Sequence, residues 1–390
     1  MHCDYYDAGR CTSCAHMGQE HLQQVAEKVA QCQQLLAEFD GIDWVEPFAG
    51  AEAGFRNKAK MVVSGTTRRP RIGILDAEGH GIDLRRCGLI TPGLQEALRV
   101  LSNLIRAARL TPYDVPSRQG ELKYLLVTEA PSGELMVRFV LRSEALVPTL
   151  REHLPGLADR LPTLRVASVN LQPEHKAVLE GEREIPLTAA QSLTMEINGI
   201  GLHLRPGGFF QTNTEVAAAL YRQGAAWASA AGPASVWDLY CGVGGFALHL
   251  AEGFGAGHVT GAGPDAVARQ VTGIEVSQDA VASAELTRAE RGLTGVDFVC
   301  ADATEFALGS DPADHPDLLV VNPPRRGVGA RLCEWMENSR IQHVLYSSCN
   351  AVTLAADLRR MPSLRPVKAR VMDMFPQSTH YEVITLLTRV

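Results

Sequence analysis

Several things are scarce in this sequence, and each scarcity narrows the possibilities. No apolar run approaches the roughly 18 residues that a membrane-spanning helix needs, so no membrane partner is expected. The opening MHCDYYDAGRCTSC has neither the basic nor the apolar stretch of a secretory signal, so a reducing cytoplasm is the expected setting. Repeats and low-complexity tracts are missing. Positive charge is not in excess: 37 Lys and Arg stand against 44 Asp and Glu, and the chain as a whole carries no electrostatic signature of a nucleic-acid binder.

What is present is ordinary globular material. Hydrophobic residues at 46% and charged residues at 21% exclude disorder as the main state. The 390 residues suffice for two or three domains with sizeable cores. Nine cysteines, an odd number in a chain expected to be cytoplasmic, argue against a disulfide framework. One local charge asymmetry survives the acidic average. Residues 51–90 hold Arg56, Lys58, Lys60, Arg68, Arg69, Arg71, Arg85 and Arg86 against Glu52, Asp76, Glu78 and Asp83. Such a stretch either engages phosphates or forms a solvated strand face.

Three segments are expected. Residues 1–90 form a Cys-rich, basic segment, 91–205 a central α+β region, and 206–390 a cofactor-binding domain. Leu22, Val25, Val29, Cys32, Leu35 and Leu36 recur at helical spacing. AKMVVSG, RIGIL, LKYLLVTEA, ELMVRFVLR and VASVNLQ read as strands, with helices at GLQEALRVLSNLIRAARL and ALVPTLREHL. From residue 235, strands and helices alternate: SVWDLY, GGFALHLAEGF, QVTGIEV, DAVASAELTRAERGL, VDFVCAD, PDLLVVNPP, HVLYSS, AVTLAADLRRM. Alternation of this kind builds a parallel sheet with crossovers. VKARVMDMF and YEVITLLTRV are separated only by PQSTH, which permits a hairpin and excludes a crossover. An α/β sheet ending in an antiparallel hairpin resembles the Rossmann-like sheet of S-adenosylmethionine (SAM)-dependent methyltransferases. The Gly- and Ala-rich stretch near 253–270 reads as a surface insertion.

Successive strand ends carry the cofactor signal. Gly242, Gly244 and Ala247 fit the G-x-G-x-x-G/A turn that lets a ligand approach main-chain N–H groups. Glu275 ends the next strand, where a carboxylate can accept two ribose hydroxyls. Asp302 ends the third and could meet an adenine edge. Asn322 ends the fourth, fixed by the two prolines behind it. Each residue alone has a structural explanation; their order points to a nucleoside cofactor.

Two further residues suit covalent chemistry. Cys349 lies between the end of HVLYSS and a helix, where the helix dipole favours thiolate. Glu382 opens the last strand among apolar residues, as a paired structural carboxylate or a base, with Asp373 the next candidate base. Cys241, Cys300 and Cys333 read as small buried hydrophobes. Cys3, Cys11, Cys14 and Cys87 form a four-thiol set suited to zinc or an iron–sulfur cluster, between which spacing does not choose, with Cys32 as a spare fourth ligand.

GGFFQTN, DLYCGVGGF, TGIE, VNPPRRG, YSSCNAVTLAADL and HYEVITLL, in this order, resemble the RNA uracil-C5 methyltransferases. MHCDYYDAGRCTSC, GFRNKAKMVVSG and GELKYLLVTE resemble the branch that modifies one uridine, the U747-type site, of 23S ribosomal RNA. The resemblance implies Cys349 as nucleophile and Glu382 as base. It implies SAM contacts from Gln211, Tyr240, Glu275 and Asn322, and Phe209 stacking on the target base. It also implies a [4Fe–4S] cluster on Cys3, Cys11, Cys14 and Cys87, although Gly88 stands where the family usually has proline. Arg56, Lys58 and Lys60 would then touch rRNA, with no protein partner and a monomeric state expected. Competing readings are methylation of an exocyclic amine, which has no use for Cys349 or Glu382, and a non-catalytic iron–sulfur RNA-binding module.

Overall fold

A computed structural model describes residues 1–175, 178–254, 259–260 and 267–390. The stretch read as a surface insertion falls largely outside the described residues. No helix among them is long and apolar enough to cross a membrane. The chain forms two compact units. One comprises Met1–Gly18, Ala51–Glu196 and Arg205–Gly207; the other comprises Gln19–Gly50, Ile197–Leu204 and Gly208–Val390. This division differs from the three expected segments. The Cys-rich segment and the central region share one unit, and Gln19–Gly50 belongs with the C-terminal half.

The first unit is built on a seven-stranded sheet in the order Gly81–Asp83, Pro70–Leu75, Lys58–Gly65, Leu122–Glu129, Leu135–Leu141, Leu164–Leu171, Arg183–Pro186. Strand alternation decides its faces. Ala59, Met61 and Val63 point into an apolar core, while Lys58, Lys60 and Ser64 take the opposite face. Only Leu135–Leu141 and Leu164–Leu171 are parallel, and the helix Val147–Arg160 supplies the crossover such a pair needs. The helix Pro92–Ala107 starts on a Thr91 cap, which accepts from Leu94 N, with proline at its first position. It buries Leu94, Leu98, Leu101 and Ile105 against the sheet.

The second unit holds an eight-stranded sheet. Its order is Asp43–Ala49, Leu364–Asp373, Glu382–Arg389, His343–Ser348, Leu318–Val321, Ser235–Leu239, Gln270–Glu275, Val296–Cys300. Every pairing is parallel except those of Glu382–Arg389, which runs antiparallel to both neighbours. The expected Rossmann-like sheet with its terminal hairpin is therefore present. The topological switch lies between Ser235–Leu239 and Leu318–Val321, where such sheets bind ligands at their C-terminal edge. Gln19–Gly50 joins this unit because the helix His21–Leu35 places Cys32 in its core, and Asp43–Ala49 pairs with Leu364–Asp373.

The helix Thr214–Ala231 has no counterpart in the sequence reading. Its alanine-rich surface carries a weak apolar stripe. Its ends are nonetheless marked, by Asn213 Oδ1 accepting from Val216 N and by Gly232 in the left-handed conformation.

Candidate active site

The residues expected to react are brought together at the C-terminal edge of the larger sheet. Cys349 follows the strand His343–Ser348 and precedes Asn350, whose side chain accepts from Val352 N and caps the helix Ala351–Leu358. The thiol is half-buried. Burial and the nearby Glu382 carboxylate raise its pKa, and Arg325 opposes them by charge and by a hydrogen bond to the sulfur. The expected lowering by the helix dipole is thus outweighed in the free protein by desolvation.

Glu382 is fully enclosed, and burial pushes its carboxyl up to about 7. Ser347 Oγ donates to its Oε1 at 2.5 Å. A carboxyl in this range takes up and releases protons near neutrality, as a general base must. Asp373 is different. It is buried and held by Lys28 Nζ at 2.6 Å and His21 Nε2 at 2.7 Å, which removes it as a free base.

Arg325 was given no site role from sequence, yet it organises the nucleophile's loop. Its carbonyl accepts from Asn350 Nδ2 at 3.2 Å and from Thr353 Oγ1 at 3.3 Å. The Asn322–Pro323–Pro324 loop is thereby tied to the residues flanking Cys349. Asn322 itself is half-buried at the end of Leu318–Val321.

The glycine turn is formed by Tyr240, Gly242 and Gly244, all at positive φ. Gly242 has open space where a side chain would stand, whereas a Cβ on Gly244 would press on Leu248 and Phe298. Glu275 joins the strand ends: its Oε2 accepts from Gly242 N at 3.1 Å and its Oε1 from Ser277 N at 2.9 Å. Beneath the turn, Asp238 accepts from Ala247 N, while its other oxygen is buried without a partner and burial raises its pKa to about 8. Asp302 Oδ1 caps the helix Ala303–Leu308 through Thr304 N and Glu305 N. Tyr240 is half-buried and hydrogen-bonded to Thr304. Gln211 is buried, and Phe209 is 72% exposed. Val276, missed in the sequence, stands 69% exposed directly after Glu275.

In the other unit, Cys3, Cys11, Cys14 and Cys87 line one cavity of about 210 Å³, together with Arg56. Burial and the other three thiols raise the Cys14 pKa to about 11. The backbone N–H groups of Leu89 and Ile90 are directed at the Cys87 sulfur.

Three comparisons bear on this arrangement. A family model described as tRNA (Uracil-5-)-methyltransferase matches residues 188–390. The 23S rRNA (uracil(747)-C(5))-methyltransferase RlmC of Halothiobacillus neapolitanus is 47% identical over 392 residues, covering 100% of both chains. RlmC of Serratia proteamaculans is 45% identical, again over 100% of both. The chain belongs to the RNA uracil-C5 methyltransferase family. The fold agrees with a solved relative: the Pyrococcus abyssi tRNA (uracil-54, C5)-methyltransferase, in complex with S-adenosyl-L-homocysteine, superposes with a TM-score of 0.76. The two are 21% identical, over 97% of this chain and 86% of that one.

Three sequence expectations change. Cys32 is fully buried in the core and hydrogen-bonded to Tyr381, so it is no spare cluster ligand. Cys300 is exposed rather than a core hydrophobe, because the strand Val296–Cys300 is the sheet's edge. Of the basic residues expected at the surface, Arg56 and Lys58 are half-buried, and burial lowers both their pKa values, that of Lys58 to about 8. Lys60 is exposed and pairs with Glu180 at 3.5 Å.

Proposed function

We propose that this chain transfers a methyl group from SAM to C5 of one uridine in 23S ribosomal RNA, the U747-type site, through an adduct between Cys349 and uracil C6. The observation that carries this reading is the convergence of a thiol, an arginine and a buried carboxyl of pKa about 7 at one sheet edge. An amine methyltransferase needs neither the thiol nor the carboxyl.

The residues present fit SAM. The glycine turn is open at Gly242, Asp238 keeps a buried oxygen unpartnered beneath it, and Val276 offers an apolar face for an adenine ring. Tyr240, Glu275, Asp302 and Asn322, at or just after successive strand ends, are read as further contacts, as is the buried Gln211. When bound, SAM supplies a methyl group on a sulfonium, which leaves without its bonding pair.

Uracil C5 is a weak nucleophile, and the side chains correct this. Arg325 favours the thiolate of Cys349, which adds to C6. The displaced pair moves towards O4 as an enolate and makes C5 nucleophilic. C5 then takes the methyl, and the sulfonium sulfur keeps the pair. Glu382 accepts the remaining C5 proton, the C5–C6 double bond reforms, and the thiolate departs. The uracil must leave its stack to reach these groups, and exposed Phe209 supplies a ring for it to stack on.

Cys3, Cys11, Cys14 and Cys87 are read as holding a [4Fe–4S] cluster. Their shared cavity, the N–H groups aimed at Cys87 and the half-buried Arg56 beside Cys14 and Cys87 support it. The cluster has no redox part in methyl transfer. The exposed Arg68, Arg69 and Arg71 are better placed for rRNA phosphates than Arg56 or Lys58. A cytoplasmic monomer fits a ribosomal RNA substrate.

The deciding experiment supplies 23S rRNA and labelled SAM, then identifies the product nucleoside by mass spectrometry. 5-Methyluridine is expected. A methylated amine would overturn the reaction, and no transfer would leave an RNA-binding module.

A further inference from the structure

One face of the helix His21–Leu35 carries His21, Gln24, Lys28 and Cys32, spaced so that they form one continuous stripe. Gln24, Lys28 and Cys32 are buried to within 2% exposure. An apolar stripe would pack this helix as well, since buried polar and charged groups add little net stability. What polar groups add is direction.

Each member of the stripe meets the connection between the last two strands or Asp373, the strand residue that opens it. His21 Nε2 lies 2.7 Å from Asp373 Oδ2. Lys28 Nζ donates to Asp373 Oδ1 at 2.6 Å and to the Phe375 carbonyl at 3.1 Å. Gln24 is bound twice to Gln377: its Oε1 accepts from Gln377 N at 2.9 Å, and its Nε2 donates to Gln377 Oε1 at 3.2 Å. Cys32 is hydrogen-bonded to Tyr381. Gln377 has φ +66, a conformation a non-glycine residue keeps only when its surroundings enforce it. The segment so gripped, residues 373–381, ends at Glu382, which pairs across the strands with Met372.

The geometry points to His21, Gln24, Lys28 and Cys32 as positioning residues that set the Glu382 carboxyl against the target C5 by holding the 373–381 connection. This rests on Glu382 being the base, and it deepens that reading. The helix touches no reacting atom. It acts on the one step that Glu382 performs, removal of the C5 proton, and leaves addition and methyl transfer alone.

The test separates those steps in the full-length enzyme. RNA carrying 5-fluorouridine at the target reports addition and methyl transfer only, because the fluorine cannot leave as a proton does. Uridine RNA reports elimination as well. Gln24→Met and Lys28→Met should trap 5-fluorouridine RNA at the wild-type rate and keep KM for SAM. With uridine RNA, kcat should fall about 10–100-fold, the scale of a misplacement near 1 Å. Methylated RNA should remain on Cys349 after denaturation. Gln24→Met removes no charge, so it remains informative if Lys28→Met fails to fold. Wild-type kcat and no persistent adduct in Gln24→Met, while Glu382→Gln does hold one, would overturn the positioning role and leave the base assignment standing. Slowed trapping of 5-fluorouridine RNA by the same factor would also overturn it, as general damage to the site. Normal turnover by Glu382→Gln without an adduct would remove the base assignment, and this proposal with it.

Discussion

Ser347 and Glu382 are joined across adjacent antiparallel strands by a 2.5 Å hydrogen bond, two residues before Cys349. It is the influence that lowers the Glu382 pKa, against burial that raises it to about 7. A base works only when deprotonated, so elimination should weaken as pH falls through about 7. Ser347→Ala removes the lowering influence. The acid limb of the pH–rate profile should therefore move to higher pH, read by single-turnover release of methylated RNA at a series of pH values. A limb that stays in place would show that another group controls it.

The nucleophile and base should fail in opposite ways. Cys349→Ala stops the reaction before any bond forms, so no protein–RNA adduct appears on a denaturing gel. Glu382→Gln permits addition and methylation but not proton removal, and a methylated adduct should accumulate. Turnover should fall by about 10²–10⁴, the usual reach of general-base catalysis. Methylation of C5 by Cys349→Ala would contradict the covalent route.

Arg325 lowers the Cys349 thiol pKa that burial raises. Arg325→Gln should therefore leave less thiolate near pH 7. Trapping of 5-fluorouridine RNA should slow there and catch up with the wild type only above pH 9, because burial already holds the thiol above its ordinary pKa of 9.0. Equal slowing at every pH would assign Arg325 to RNA binding instead.

Cys87, the expected fourth ligand, and Cys32, the spare, should separate on substitution. Cys87→Ser should abolish a visible iron–sulfur chromophore in anaerobically purified protein. Cys32→Ser should keep the chromophore and lower thermal stability, because its sulfur packs in the core beside Tyr381. Metal analysis finding zinc without iron would reject the cluster.

Arg68 and Arg69 are exposed at the tip between the strands Lys58–Gly65 and Pro70–Leu75. Replacing both by alanine should weaken rRNA binding and flatten its dependence on salt, since fewer counterions are released. SAM binding should be unaffected. An unchanged slope in a binding titration would place the RNA elsewhere.

The strand ends of the larger sheet were legible because their signals are local: an apolar run, then Gly, Glu, Asn or Cys at its close. Cys349 could be placed for the same reason. Arg325 could not be linked to it, because that contact depends on two loops about 25 residues apart meeting in space. The burial of Arg56 and Lys58 was equally hidden: alternation along one strand shows which residues share a face, not what covers that face. Cys32 and Cys87 differ only in tertiary context. The partner of Asp43–Ala49 was unreadable, since it lies at Leu364–Asp373.

That last pairing bears on how the chain is made. The ribosome releases the helix His21–Leu35 and the strand Asp43–Ala49 long before the strand Leu364–Asp373, beside which they pack. At about 5–20 residues per second, the early segment waits on the order of tens of seconds with Val25, Val29, Cys32 and Leu36 uncovered. The most non-local contacts in the sheet are thus the ones that close it, which makes the emergence of Leu364–Asp373, rather than formation of any earlier element, the event that commits this half of the protein to its native state.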